Sequence, residues 1–274
     1  MEGLLSSRKN PRIQFLDKLK KRSERDERGT YIIEGLRELQ RAHRAQCLRE
    51  LYACPSHFPS PEHETFLQEL RAEAHIPLHE VSPYAFEKIS LREGPDGLLG
   101  LGLPFEKKLE QITWSENPLL LGVEGIEKPG NLGALARSAD AAGVDAFVVL
   151  NPRSDLRNPQ CIRSSQGAVF SLPIALLSYA EWEAFSREKA WQWLVLSPRA
   201  ETPFWSLDLR QPTALILGSE KEGLSSPWFQ HPLATPARIP QRGISDSLNV
   251  SVAAAVVLYE ALRQRRIFVS NAEG

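Results

Sequence analysis

The sequence predicts an α/β fold built on a mostly parallel sheet with helices on both faces, and three observations predict it. Short, wholly apolar runs recur in the second half of the chain, in "PLLLGVEG", "VDAFVVL", "WQWLVLS" and "PTALILG"; strands covered on both faces read this way, whereas half-solvated strands alternate. Between the first two lies "NLGALARSADAAG", whose apolar residues have helical spacing, so the unit is β-α-β and its strands run parallel. The 274 residues exceed one ordinary small domain, so one or two cores are expected.

From the N-terminus, Met1 to Arg28 carries nine Lys or Arg against five Asp or Glu, a basic arm in a chain of net charge −1. Two readings fit it: a solvated amphipathic helix with Phe15, Leu16 and Leu19 packed inward, or a phosphate-binding arm. After "RGTYIIEG", Leu36, Leu39 and Ala42 have helical spacing and "LRELYAC" is strand-like. Alternation continues through "IPLHEVSPYAFEKIS" to the Gly-rich "REGPDGLLGLGLP". Pro104 to Pro118, "PFEKKLEQITWSENP", is charged and bracketed by prolines; it reads as a linker and divides the chain into 1–110 and 111–274. The helix of the β-α-β unit takes Asn131 as N-cap and Gly143 as C′. The two further apolar strands and a shorter one at "PARIP" precede a last helix within "SDSLNVSVAAAVVLYEALRQRR", Ser245 to Arg266. No charge falls between Val252 and Tyr259, and a helix apolar nearly all round must be buried. A buried helix start needs partners for its free N–H groups. Ser245, Asp246, Ser247 and Asn249 supply caps, the remaining amides are free to hold a ligand, and Ala253, Ala254 and Ala255 permit close backbone packing.

Several classes are excluded. No apolar run approaches the roughly 20 residues that span a bilayer, and the first 22 residues lack the apolar core of a secretion signal; the expected location is the cytoplasm. Three irregularly spaced cysteines, Cys47, Cys54 and Cys161, fit a reducing compartment. Cys54, His57 and His63 match no zinc spacing, and Pro77 spoils helical i, i+4 geometry for His75 and His79, which read as surface or loop residues; no metal is expected. "GVEGIEKPGNLG" lacks the dinucleotide fingerprint G-x-G-x-x-G, and "GSEKEGLS" puts Leu224 where a P-loop requires Lys.

Three segments occur in order, each at a strand-to-helix junction: "NLGALAR" (Asn131, Gly133, Arg137), "LGSEKEGL" (Gly218, Glu220, Gly223) and "IPQRGISDSLNVSVAAA" (Ile239, Pro240, Ser247, Leu248, Asn249, Ser251). Together they resemble the three signature motifs of the SpoU (TrmH-type) family of RNA ribose 2′-O-methyltransferases, within the SPOUT superfamily. "DLRNPQCIRSSQGAVFSLP" is similar to that family's segment between the first two motifs, with Arg163 at its arginine, and Glu127 stands where the family more usually has Asp. "NPRIQFLDKLKKR" and "GTYIIEGLRELQRA" resemble, more loosely, the small L30e-like RNA-binding domain that precedes the catalytic domain in many members.

The resemblance implies an L30e-like α/β RNA-binding domain over 1–110 and a SPOUT catalytic domain over 111–274 whose last helix threads a loop as a trefoil knot. It implies S-adenosylmethionine as cofactor, contacted by Gly218, Ile239 and Leu248, a homodimer, and RNA as substrate, ribosomal RNA ahead of transfer RNA by analogy. Arg137 becomes the catalytic arginine, in its own or the partner's site, and Arg163 a phosphate holder. Asn131, Glu220, Ser247 and Asn249 complete the catalytic network. Ordinary roles stand beside these: a cap for Asn131, orientation of the loop for Glu220, core packing for Ile239 and Leu248. Arg137 lies on a helix of small apolar residues, where an unpaired cation is costly and asks for an anion. Since arginine keeps its proton, it serves as an electrostatic stabiliser of the developing alkoxide and clamp on phosphate rather than as a base. Two other classes are a non-catalytic RNA-binding protein of the same fold, for which the motifs would be degraded, and a different nucleotide-binding α/β enzyme, for which the missing glycine and lysine signatures discriminate.

Overall fold

The structure is a computed structural model that describes residues 3–272 apart from 74, 190 and 245, with side chains to residue 265. Ser245, read above as a possible cap, lies outside the described residues. The chain forms two compact units, Met1–Phe105 with Asp155–Ser171, and Glu106–Ser154 with Leu172–Gly274.

The first unit holds a four-stranded sheet of β1 (Tyr31–Glu34), β2 (Leu48–Ala53), β3 (Leu78–Glu80) and β4 (Leu98–Gly102), in the order β1-β4-β2-β3. Strand β4 is antiparallel to both neighbours and β3 is parallel to β2. The basic N-terminal stretch is not a free arm. Asn10 Oδ1 accepts from the Arg12 amide at 2.9 Å and Pro11 occupies the first turn, which starts the helix Pro11–Lys18. Ile13, Leu16 and Leu19 are fully buried in a cluster shared with Ala85, Phe86 and Ile89 of the helix Pro83–Ile89, with Phe15 packed at its edge. Arg25 is itself buried: its Nε and Nη2 donate to Asp155 at 3.0 and 2.7 Å, and Nη1 to the Leu19 and Lys20 carbonyls. This pair pins the segment after Asp155 to the unit, whose helix Pro159–Ser164 presents Arg163 to solvent. His79, expected at the surface, is buried on β3 against the Tyr52 ring, with Arg12 at 3.1 Å and Glu50 at 3.4 Å; strand pairing turns it inward despite Pro77.

The second unit holds six strands, all parallel: β5 (Leu119–Glu124), β6 (Ala146–Leu150), β7 (Ile174–Leu177), β8 (Gln192–Leu196), β9 (Thr213–Leu217) and β10 (Ala234–Ala237), in the order β10-β8-β9-β5-β6-β7. One face is covered by a tryptophan-rich cluster that joins Leu120, Val148 and Ile216 to Trp182, Trp193 and Trp228. On the other, the helices Pro129–Ala142 and Val250–Ala272 pack on each other and against β6 and β9. The segment read as a linker is part of this core, because Leu109 and Ile112 are buried in it and Trp114 packs on Trp191. The strand at "PARIP" starts two residues earlier, at Ala234, and the four-residue edge strand β7 was too short to separate by periodicity. Asn131 is not the cap of its helix, which begins at Pro129 after Lys128; Gly143 does end it, left-handed at φ 67°. The last helix also departs from the expectation: Val252, Val256 and Tyr259 are exposed, Tyr259 by 51%, while Ala254, Val257, Leu258 and Ala261 are buried. Its apolar residues go all round, but this unit covers only one side.

Candidate active site

In an open parallel sheet, ligands gather beyond the carboxyl ends of the strands, where the order of strands reverses. That point lies here between β5 and β9: from β5 the chain builds outward through β6 and β7, then returns to the opposite side for β8, β9 and β10. Beyond the carboxyl ends of β8, β9 and β10 opens a cavity of about 680 Å³, inside the roughly 300–1,000 Å³ range of small-molecule and cofactor sites.

The loop after β9 shapes it. Ser219 and Gly223 pair across a tight turn, the Gly223 amide donating to the Ser219 carbonyl at 3.0 Å and the Glu222 amide to Ser219 Oγ at 3.1 Å. Gly223 is left-handed at φ 69°, and a Cβ on Gly218 would overlap the Gly223 carbonyl and the Leu224 amide. Gly218 is thus required by its own loop, a reason independent of any ligand. Behind the turn, the buried Glu124 carboxylate at the end of β5 accepts from the Ser225 amide and hydroxyl at 2.9 and 3.0 Å and from Asn151 Nδ2 at 2.9 Å. Sequence reasoning passed over Glu124; its signal was an ionisable residue closing a strand otherwise wholly apolar.

Gly218, Glu220, Ile239, Ser247 and Leu248 all line the cavity. Asn249 stands at its rim and joins two of the three motifs to the third. Its Oδ1 accepts from the Ser251 amide at 3.0 Å and hydroxyl at 2.6 Å, which caps the last helix. Its Nδ2 donates to Glu220 Oε1 at 2.8 Å and to Asn131 Oδ1 at 3.4 Å. The orientation of the amide is forced, because a backbone N–H only donates and an ionised carboxylate only accepts. Glu220 Oε2 faces Lys128 Nζ at 3.5 Å. Outside this rim, Arg153 bridges Glu127 at 3.2 Å and Glu222 at 2.8 Å, and its hydrogen bond holds the Glu222 carboxyl below its ordinary range.

Arg137 is not among the lining residues; it lies six positions beyond Asn131 and is exposed. Solvent therefore meets the cost that was expected to demand an anion, and no ion pair to it occurs among the described residues. Arg163 belongs to the other unit. No three His, Cys, Asp or Glu among the described residues are placed to hold a metal, and no helix among them is long and apolar enough to cross a membrane.

Residues 118–259 match the model of the SpoU rRNA Methylase family, and residues 10–100 that of the MRM3-like substrate binding domain. The 23S rRNA (guanosine-2'-O-)-methyltransferase RlmB of Xylella fastidiosa (strain 9a5c) is 41% identical over 150 residues, 54% of this chain and 60% of that protein, so the match spans less than two thirds of the relative's length. Among solved structures, an RNA 2'-O ribose methyltransferase is 40% identical, with 96% of this chain and 100% of that chain covered at a TM-score of 0.82. The AdoMet-bound rRNA methyltransferase from Sinorhizobium meliloti is 26% identical, with 95% and 97% covered at a TM-score of 0.85. The family match takes in more than half of the chain, including all three segments that build the cavity and its polar rim: the chain belongs to the SpoU rRNA methylase family.

Proposed function

We propose that this chain transfers a methyl group from S-adenosylmethionine to a ribose 2′-hydroxyl of RNA, and that the RNA is ribosomal. The observation that carries the proposal is the cavity at the carboxyl ends of β8 to β10, with the Asn131–Asn249–Glu220 network on its rim. The residues present fit the cofactor. Ile239, Leu248, Leu196 and Leu217 offer apolar enclosure for an adenine, while Glu220, Asp246 and Lys221 offer both signs of charge to an amino acid moiety. The names of the relatives, RlmB among them, support ribosomal RNA as the substrate.

Bound there, the cofactor supplies a methyl group on a sulfonium whose departure as a neutral thioether needs no acid. The chain is left with positioning and with stabilising the oxygen nucleophile. Gly218 and Gly223 hold the loop in the shape that leaves the cavity open. Asn249 has both its donors and its acceptor engaged, so it acts by fixing Glu220 and the start of the last helix rather than by touching ribose. Ser247, exposed on the wall, is free to donate to the sugar. Arg137 supplies fixed positive charge to the developing alkoxide and the adjacent phosphate, in its own or a partner's site, while water takes the proton. Arg163, exposed on its short helix, holds phosphate.

The finer architecture belongs to the same proposal. Residues 1–110 are the L30e-like RNA-binding domain and 111–274 the catalytic one, and the last helix threads a loop as a trefoil knot. The far end of that helix is seated on the segments that enter β5 and β9, where Arg265 donates to the carbonyls of Asn117, Leu209 and Gln211 and Gln264 Oε1 accepts from the Leu209 amide. The exposed side of the helix, Val252, Val256 and Tyr259, supports a homodimer.

The test is methyl transfer from labelled cofactor to ribosomal RNA fragments, followed by alkaline hydrolysis. A 2′-O-methyl group removes the nucleophile that cleaves the chain, so one labelled, alkali-resistant dinucleotide is expected. Label released as a methylated base, or no label in RNA, overturns the reading.

A further inference from the structure

The outer faces of the helices Pro11–Lys18 and Pro83–Ile89 form a surface that the functional reading has not used. Beneath it, Ile13, Leu16, Ala85, Phe86 and Ile89 are buried, so the exposed side chains stand on a rigid base. Tyr84 is 61% exposed, more than the exposed Trp205, Tyr259 and Phe229. The Arg8 guanidinium lies over its ring at 4.0 Å, held by a bond from Nε to the Tyr84 carbonyl at 2.7 Å and by Glu87 at 2.9 Å. The row continues: Lys88 Nζ donates to the Arg8 carbonyl and faces Asp17 at 3.7 Å, and Lys20 Nζ donates to the Lys88 carbonyl and pairs with Asp17 at 3.1 Å. Lys9 and Lys21 flank it, both exposed. Arg8, Lys20 and Lys88 thus meet Glu87 and Asp17 beside one presented aromatic ring, and Lys9 and Lys21, next to Arg8 and Lys20 in the chain, add exposed positive charge.

We infer that this surface of the first unit binds an unpaired stretch of RNA, with a base stacked on the Tyr84–Arg8 pair and phosphates along Lys9, Lys20, Lys21 and Lys88; the inference rests on the reading of the chain as an RNA-modifying enzyme. Two features separate this surface from an ordinary solvated face. Flexible exposed side chains gain little from being ordered, yet Arg8, Lys20 and Lys88 are fixed by backbone carbonyls, which leaves less conformational freedom to lose on binding. A stacked arginine and tyrosine also present the planar π surface on which unpaired bases stack, whereas a duplex keeps its bases stacked inside. Excess positive charge suits the phosphate chain.

The experiment measures binding of the full chain to a labelled unstructured RNA and to a duplex of the same length, by fluorescence anisotropy across salt concentrations, with S-adenosylhomocysteine affinity measured in parallel. Tyr84→Ala is expected to weaken binding of the unpaired RNA about tenfold, and Tyr84→Trp to restore it. The Lys9→Ala/Lys21→Ala variant is expected to lower the salt slope by about 1.4, two phosphates on a single strand. Cofactor-analogue affinity and melting temperature stay at wild-type values, since none of these residues lies in the core or the cavity. If wild type binds RNA and methylates it while Tyr84→Ala binds equally well, this inference falls and the functional reading stands. Equal losses for duplex and unpaired RNA overturn the stacking assignment. If wild type binds no RNA at all, the functional reading fails and takes this one with it.

Discussion

Asn249 connects local helix chemistry to the candidate site, and its two roles separate by substitution. Asn249→Ala removes the cap of the last helix, at about 1 kcal/mol, and also frees Glu220. Asn249→Asp keeps an acceptor for the Ser251 amide but sets a second carboxylate where Glu220 Oε1 now receives a donor at 2.8 Å. Two carboxylates at that distance repel each other. Affinity for S-adenosylhomocysteine should then drop about tenfold for Asp, roughly 1.4 kcal/mol, and less for Ala, which removes the donor without adding a charge; calorimetry on both variants checks it, and equal affinities for Asp and Ala would reject the bridge. Arg137 gives the second residue-scale prediction. Arg137→Ala should cost about 3 kcal/mol in the transition state, a hundredfold or more in rate, as for loss of one preorganised electrostatic group. Arg137→Lys keeps the charge without the planar fork and should fall between. Single-turnover transfer with saturating cofactor measures both. A lysine variant that gains on wild type at low pH would favour a base over a fixed charge.

The loop between β9 and the following helix shows how an element is written in its glycines. Gly218→Ala drives a Cβ into the Gly223 carbonyl, which only a shift of backbone relieves; overpacking of this kind costs about 1–3 kcal/mol. Gly223→Ala meets nothing within 4 Å and bears only the strain of its positive φ, about 1–2 kcal/mol. Cofactor-analogue binding should therefore suffer more at Gly218 than at Gly223, with circular dichroism unchanged in both. In the first unit, burial raises the carboxyl of Glu38, on the helix Leu36–Arg44, above its ordinary pKa. The folded state thus binds its proton more tightly than the unfolded chain, so stability is lost as pH rises from the unfolded value, about 4.3, through the folded one. Glu38→Gln should stabilise the protein in urea unfolding at pH 7, and the gain should vanish near pH 4. The apolar strands and the Gly143 stop were legible because each depends on a few adjacent residues. The start of the helix Pro129–Ala142 was misplaced because Asn131 is a good cap by type, whereas Pro129 set the first turn so that the cap falls three residues earlier, at Lys128.

Across the whole molecule, the last helix is packed along one side and open along the other. If the open side is the subunit interface, Tyr259→Asp places a charge in it and should give a monomer in sedimentation velocity, with the fold retained because Tyr259 is 51% exposed in the single chain. A variant that sediments as wild type would move the interface elsewhere. The division of the chain is another property of this scale. A boundary near residue 110 follows from composition, but residues 155–171 fold with the first unit through the buried Arg25–Asp155 pair. A cut at the composition boundary would strip that segment of its partner and leave Ile162, Val169 and Phe170 uncovered.

The sequence by itself determined the fold class, the order of the three motifs and the residues able to serve at strand ends, because strands buried on both faces must be continuously apolar and tight turns must have glycine. Tertiary structure alone decided that Asn131, Glu220 and Asn249, up to 118 positions apart, share one hydrogen-bond network, that Arg137 faces solvent, that His79 is buried, and that a charged, proline-bracketed stretch belongs to a core. Each of these depends on which strand lies beside which. Side-chain periodicity fixes the face of an element that turns inward but carries no information about what waits there, and long-range neighbours settle the partners.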